Sequence, residues 1–225
     1  AYAGNNKGQL TYSFVGDTQT SLDKITAELG KEWMFLETLY RIYSTAGYNI
    51  AHVDVTAKLC EERGIEPGDV ERIEAVANWL ETEYPSPAFP VRSRAPGVGS
   101  TQYYSAYGVV KRGFPLLKFV EHGYGPEDPP AVLELMQRVT IVPSHRQTLF
   151  GPTVTIHLKD GRSVTRAGTG REFIWDFDEE ARRIREIVPG IPIPEAQYED
   201  LIAACRALDG LDEAAKLIAL TVAKK

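Results

Sequence analysis

The stretch TVTIHLKDGRSVTR, Thr153 to Arg166, decides how this chain is read. Asp160-Gly161 suits a tight turn with positive φ, so the stretch predicts a β-hairpin. Just upstream, VTIVPS (Val139 to Ser144) reads as a further strand. Earlier still, DVERIEAVAN alternates Ile73, Ala75 and Ala77 against polar neighbours, which predicts a half-buried strand over Asp69 to Asn78. The segments between and around these strands are helical. After Asn49, a candidate N-cap, Ile50, Val53, Ala57 and Cys60 recur at helical spacing until Gly64. STQYYSAYGVVKRG carries Tyr103, Ala106, Tyr107 and Val110 on one face, with Gly113 as terminator. DPPAVLELMQRV opens with an aspartate cap and proline in the first turn. Three apolar-periodic helices follow Asp176. The order is helix, strand, helices, strands, helices, without regular alternation, which predicts an α+β fold rather than a doubly wound sheet.

The remaining segments are less regular. Ala1 to Gly16 shows no periodicity, and TSLDKITAELG reads as a short capped helix with Leu22, Ile25 and Leu29 on one face. KEWMFLETLYRIYS is ambiguous, with enough aromatic and β-branched residues to be extended. Tyr84 to Gly99, with four prolines and two glycines, is a long loop.

Bulk properties narrow the function. With 225 residues, the chain can bury a substantial core as one large domain or two small ones. A formal net charge of −6 argues against a nucleic-acid or anionic-membrane surface, which would need a basic stripe. Cys60 and Cys205 sit at apolar helical positions and read as buried free thiols in a reducing compartment. No apolar run approaches the roughly 20 residues that span a bilayer, and no signal peptide is legible. The expected location is cytoplasmic. A P-loop, a dinucleotide fingerprint and a nucleophile elbow are missing from the sequence. His52, His122, His145 and His157 form no ligand pair at helical or loop spacing. No metal and no cofactor are expected.

RIYSTAGYNIAHVD, Arg41 to Asp54, crowds two tyrosines, a Ser-Thr pair and a histidine ahead of and into a helix. It reads either as a capped loop or as a pocket wall. Arg41 is either a salt-bridging surface residue or a carboxylate clamp, and His52 either an exposed helical residue or a pocket residue. Tyr103, Tyr104 and Tyr107 fit a packing stripe, and Tyr104, off the main apolar face, is the one chosen to line a pocket. The run DFDEEARR reads as a solvated first turn that complements the helix dipole.

VTIHLKDGRSVTR, the acidic helix, and then IPEAQYEDLIAACRALDGLDEAAKLIAL together resemble the end of the MmgE/PrpD family. That family includes 2-methylcitrate dehydratase, cis-aconitate decarboxylase and iminodisuccinate epimerase. The resemblance extends from about Leu22 to Leu220 and aligns Arg41 with the family's catalytic lysine, Tyr43 with its aromatic and Asp54 with its helix aspartate. TQYYSAYGVVKRG resembles the family helix that can supply a catalytic tyrosine. Two departures stand out. Arg41 stays protonated where lysine is tunable, and Ala46 occupies the position of a catalytic histidine that His52 does not inherit. The family's N-terminal helical domain has no counterpart in this sequence.

The resemblance implies three parts: an N-terminal segment and short helix over 1–30, a lid-type α+β domain over 31–167, and C-terminal helices over 168–225. The last would pack on a helical domain or partner subunit. It implies a cofactor-independent lyase or isomerase that abstracts a proton beside a carboxylate or carbonyl of a small substrate. His52, Tyr104 and Arg41 are the catalytic candidates, and Arg41, Tyr43, Tyr48 and Tyr107 the substrate-binding ones. The alternative is a degenerate scaffolding or regulatory subunit of such an enzyme. Ile184, Ile187, Leu201, Ile202, Cys205, Leu217, Ile218 and Leu220 would be the partner-facing surface, possession of which implies an obligate complex.

Overall fold

The computed structural model describes residues 27–31, 41–43, 45–83, 100–115, 119–120, 123–124, 129–172 and 174–222. The extended reading of KEWMFLETLYRIYS, the loop over 84–99, His122 and most of the first expected helix lie outside them. The chain divides into compact units at 1–40 and 41–225. Sheet and C-terminal helices thus share a unit, whereas the sequence-based boundaries fall after 30 and 167. In the first unit the described residues 27–31 form a turn, with Gly30 at φ 81° and Leu29 exposed.

The second unit is α+β, as the sequence predicts. Helix α1 (Gly47–Arg63) leads to strand β1 (Val70–Asn78), short helix α2 (Trp79–Glu83) and helix α3 (Thr101–Lys111). A two-residue ribbon, β2 (Phe119–Val120) with β3 (Gly123–Tyr124), precedes helix α4 (Pro130–Met136) and strand β4 (Val139–Ser144). The hairpin β5 (Thr153–Leu158) and β6 (Ser163–Ala167) follows, then α5 (Phe177–Ile187), α6 (Glu195–Arg206) and α7 (Ala214–Leu220).

The main sheet runs β4-β1-β5-β6, with β1 parallel to β4 and antiparallel to β5. Along β1, Ile73, Ala75 and Ala77 face the core at the expected period of two, but Val70 is buried as well. A register shift between Val70 and Arg72 opposite β5 restores the phase. In the hairpin only Gly161 has positive φ, at 88°. Leu158 N–H donates to Arg162 O (2.8 Å), so the connection is a three-residue loop closed by a left-handed glycine rather than a two-residue turn.

Helix α1 packs against α3 and against β5 and β6. Every residue from Tyr48 to Ala57 is buried. Its N-cap is Ala46, in extended conformation, rather than Asn49. Asn49 lies inside the helix because its amide is used elsewhere: Nδ2 donates to Thr45 Oγ1 (2.8 Å) and Oδ1 accepts from Thr101 Oγ1 (2.9 Å). Helix α3 is capped by Ser100, which accepts from Tyr103 N–H. Arg112, not Gly113, adopts the left-handed terminal conformation, and its guanidinium donates to the carbonyls of Val109 and Ile65. Helix α4 has Pro129 at its N-cap, with no side-chain cap bond.

The C-terminal helices own a small core, Ala181, Val188, Tyr198 and Ile202, with Ile184 packed against it. Tyr198 Oη donates to Ala181 O within it (2.7 Å). Ile187 joins Tyr43, Ile50, Phe114 and Trp175 in a further cluster that ties α5 to α1. Of the apolar residues expected to face a partner, Ile202 is therefore buried inside the unit and Ile218 is 63% exposed. Asp176 caps α5 by accepting from Glu179 N–H (2.9 Å), and Asp178, Glu179 and Glu180 form the acidic first turn that the DFDEEARR run predicts.

The α1–α3 crossing turns on one glycine. A Cβ on Gly108 would sit 2.0 Å from Thr56 Oγ1 and 2.5 Å from Val53 O. Helix propensity alone favours alanine over glycine by about 1 kcal/mol. Overpacking this contact reverses the sign, and we expect Gly108→Ala to destabilise by about 1–3 kcal/mol. Denaturant titration should show a lower midpoint at unchanged slope; a raised midpoint would contradict so close a crossing.

Candidate active site

Strand β1 ends at Asn78, whose side chain works in two directions. Its Oδ1 accepts from Leu80 N–H (3.0 Å), which starts α2, and its Nδ2 donates to Gln147 O (2.6 Å), which holds the loop after β4. Glu81 is the third residue of α2. In an Asn-x-x-Glu pattern such a glutamate commonly reaches back to the cap. Here it turns inward and is 2% exposed. Glu81 Oε1 accepts from Phe150 N–H (2.6 Å), while Oε2 is buried with no hydrogen-bond partner among the described residues. Phe150 itself has φ 59°, a left-handed conformation that is costly for an aromatic residue.

Glu81 lines a cavity of about 300 Å³. Leu80, Leu149 and Phe150 line it together with Arg41, Ala46, Gly47 and Tyr48. The opening stretch of α1 is thus a pocket wall along 41 and 46–48. Burial pushes the Glu81 carboxyl up to about 7, against an ordinary 4.5, and the bond from Phe150 N–H offsets part of this. Such a group exchanges protons at neutral pH. It faces a mostly apolar space with one cationic side chain, Arg41, among the described lining residues.

The other candidates lie elsewhere. His52 is wholly buried between α1 and α3, its Nδ1 3.1 Å from Ser105 Oγ. Ser105 Oγ donates its only hydrogen to Thr101 O (2.9 Å), which assigns the His52 proton to Nδ1. His52 Nε2 is buried without a hydrogen-bond partner among the described residues. Burial lowers the imidazole to about 3, so His52 stays neutral. Tyr104 is buried in the main core with its ring edge against Tyr103, and Tyr107 packs on the same core. Tyr43 stacks on Phe114 with ring centroids 3.7 Å apart. Burial raises its hydroxyl, which sits beside the Arg183 guanidinium. Asp54 Oδ2 pairs with Lys58 (2.8 Å), and its Oδ1 is 4.0 Å from Arg183. The cavity therefore gathers Arg41 and Tyr48 of the expected set, and leaves His52, Tyr43, Tyr104 and Tyr107 out of its described lining.

His145 is exposed, with its ring against Trp79, and His157 bonds Ser163 on the hairpin (2.8 Å). No group of three His, Cys, Asp or Glu side chains that could hold a metal occurs among the described residues. No helix among them is long and apolar enough to cross a membrane. The chain matches no family model and no curated protein.

The raised carboxyl gives stability a pH signature. Because the folded-state value lies above the unfolded one, the contribution of Glu81 is fully present below 4.5 and lost as pH rises through about 7. His52 acts oppositely, losing stability as pH falls below 6.5, but is common to wild type and Glu81→Gln and cancels in their difference. Between pH 4.5 and 8, wild type should lose about 2–3 kcal/mol relative to Glu81→Gln. Denaturant melts across pH provide the check, and a flat difference would mean that Glu81 ionises normally.

Proposed function

We propose that this chain is a lyase or isomerase, or the site-bearing subunit of one, that removes a proton beside a substrate carboxylate or carbonyl. One observation carries the reading: Glu81, a buried carboxyl whose Oε2 has no hydrogen-bond partner among the described residues, lines a cavity that Arg41 also lines. The motif resemblance to the MmgE/PrpD family points to the same chemistry, with Arg41 at the position of the family's lysine. In this scheme the Arg41 guanidinium binds the substrate carboxylate and offsets charge that develops as the adjacent C–H bond breaks. Glu81, half ionised near neutral pH, takes the proton on its carboxyl while Phe150 N–H holds Oε1 in place. The proton then returns to the other face, or a group on the neighbouring carbon leaves with the electron pair. The site residues supply this acid–base step without an added cofactor. His52 and Tyr104, the other candidates for proton transfer, are buried and lie outside the described lining of this cavity.

A helical-domain partner remains part of the proposal. Leu208, Ile218 and Val222 are 53%, 63% and 60% exposed near the C-terminus, a suitable apolar surface for association. A scaffolding or regulatory role for the chain is the second reading, and it rests on that surface alone. A cytoplasmic location is proposed on the two free cysteines.

The test is hydrogen exchange next to the carboxylate or carbonyl of small acids in deuterated buffer, followed by proton NMR, with and without an added helical-domain chain. We expect catalysed exchange with a pH midpoint near 7, as Glu81 dictates. Glu81→Gln should lower it by on the order of 10²–10⁴-fold, and Arg41→Ala should mainly raise KM. Exchange that survives Glu81→Gln, or that fails with and without the partner, would overturn the enzymatic reading; the latter outcome would favour the scaffolding one.

A further inference from the structure

The cavity's lining also bears on what it accepts. Among the described lining residues, Arg41 is the sole cation and Glu81 the sole carboxyl. The other large side chains facing the space are Tyr48, Leu80, Leu149 and Phe150. Leu80 and Leu149 are 43% and 39% exposed, so apolar carbon sits at the cavity's open side. A ligand with an apolar body would cover it.

One substrate carboxylate has a partner in Arg41. A second finds no further cation among the described lining residues, and a buried anion without a counter-charge carries a desolvation cost. An aromatic or branched aliphatic body meets Leu149 and Phe150 instead. The volume of about 300 Å³ suits a ligand of one ring and a three-carbon acid chain. We infer that the cavity takes a small monocarboxylate with an apolar substituent, a 2-oxo acid with an aryl group on C3 being the representative chemistry, in preference to di- and tricarboxylates. This rests on the proton-transfer reading for the identity of the site, but it is a statement about binding and can be tested separately.

The experiment uses the full chain and three probes: phenylpyruvate, oxaloacetate and phenylacetone. The first two share the 2-oxo acid and differ in aryl against carboxylate on C3; the third lacks the acid. Calorimetric titration should show phenylpyruvate binding at least roughly tenfold more tightly than either of the others. Arg41→Ala, a change at an exposed side chain, should bring phenylpyruvate down to the level of phenylacetone. Oxaloacetate binding as tightly as phenylpyruvate, or no binding by any probe at millimolar concentration, would overturn the inference. Tight phenylpyruvate binding without catalysed loss of its C3 hydrogens would uphold the ligand class and sink proton transfer. Catalysed exchange confined to oxaloacetate would do the reverse.

Discussion

The contact of Gly108 with the backbone of Val53 and the hydroxyl of Thr56 is the constraint on which the rest of the α/β body depends. With no side chain between them, α1 and α3 approach closely enough to share polar groups across a buried face. Thr45, Asn49 and Thr101 form one chain of hydrogen bonds, and His52 and Ser105 another. The Asn49–Thr101 and His52–Ser105 contacts are buried, where an unmade bond is expensive. They act as registration pins for the two helices. Fixing α1 in turn fixes its first turn, and Gly47 and Tyr48 become wall rather than loop.

The rest of the lining has a different origin. Asn78 closes β1 and opens α2 with one side chain, and that places Glu81 toward the interior. A lone carboxyl could reduce its burial cost by turning to solvent; this one is held by the N–H of Phe150. The bond also supports Phe150 in a conformation it would not adopt unaided. Carboxyl and loop thus stabilise each other, and what remains over is one buried oxygen without a hydrogen-bond partner among the described residues. Low polarity around that oxygen raises its proton affinity into the neutral range, the condition an acid–base group needs.

Much of the fold was legible in the residues because it depends on local pattern. The alternation in VERIEAVAN, Asp160-Gly161 between two strands, the acidic first turn after Asp176 and Gly64 as a helix stop all specify structure within a few residues. Finer features escaped for tertiary reasons. Asn49 looks like a cap until Thr101, distant in sequence, claims its amide oxygen. The β1 register shift is a matter of its partner strand. The site was half legible: Arg41 and Tyr48 stood out by their polar crowding, and both reach the cavity. His52 and Tyr104 drew notice for their chemistry, yet helix periodicity carries them into the α1–α3 core. Glu81 gave almost no signal, since a glutamate three residues after asparagine at a helix start is ordinary capping chemistry. Only the loop around Phe150 makes it unusual.

The state of the Glu81 carboxyl is therefore the measurement closest to the central claim. Carbon-13 NMR of glutamate-labelled chain, with the Glu81 side-chain signal assigned by its loss in Glu81→Gln, follows that carboxyl directly through pH. A midpoint near 7 is the expected result, and addition of a bound monocarboxylate should move it. A midpoint at the ordinary 4.5 would contradict the buried, proton-exchanging group on which the proposed site is built.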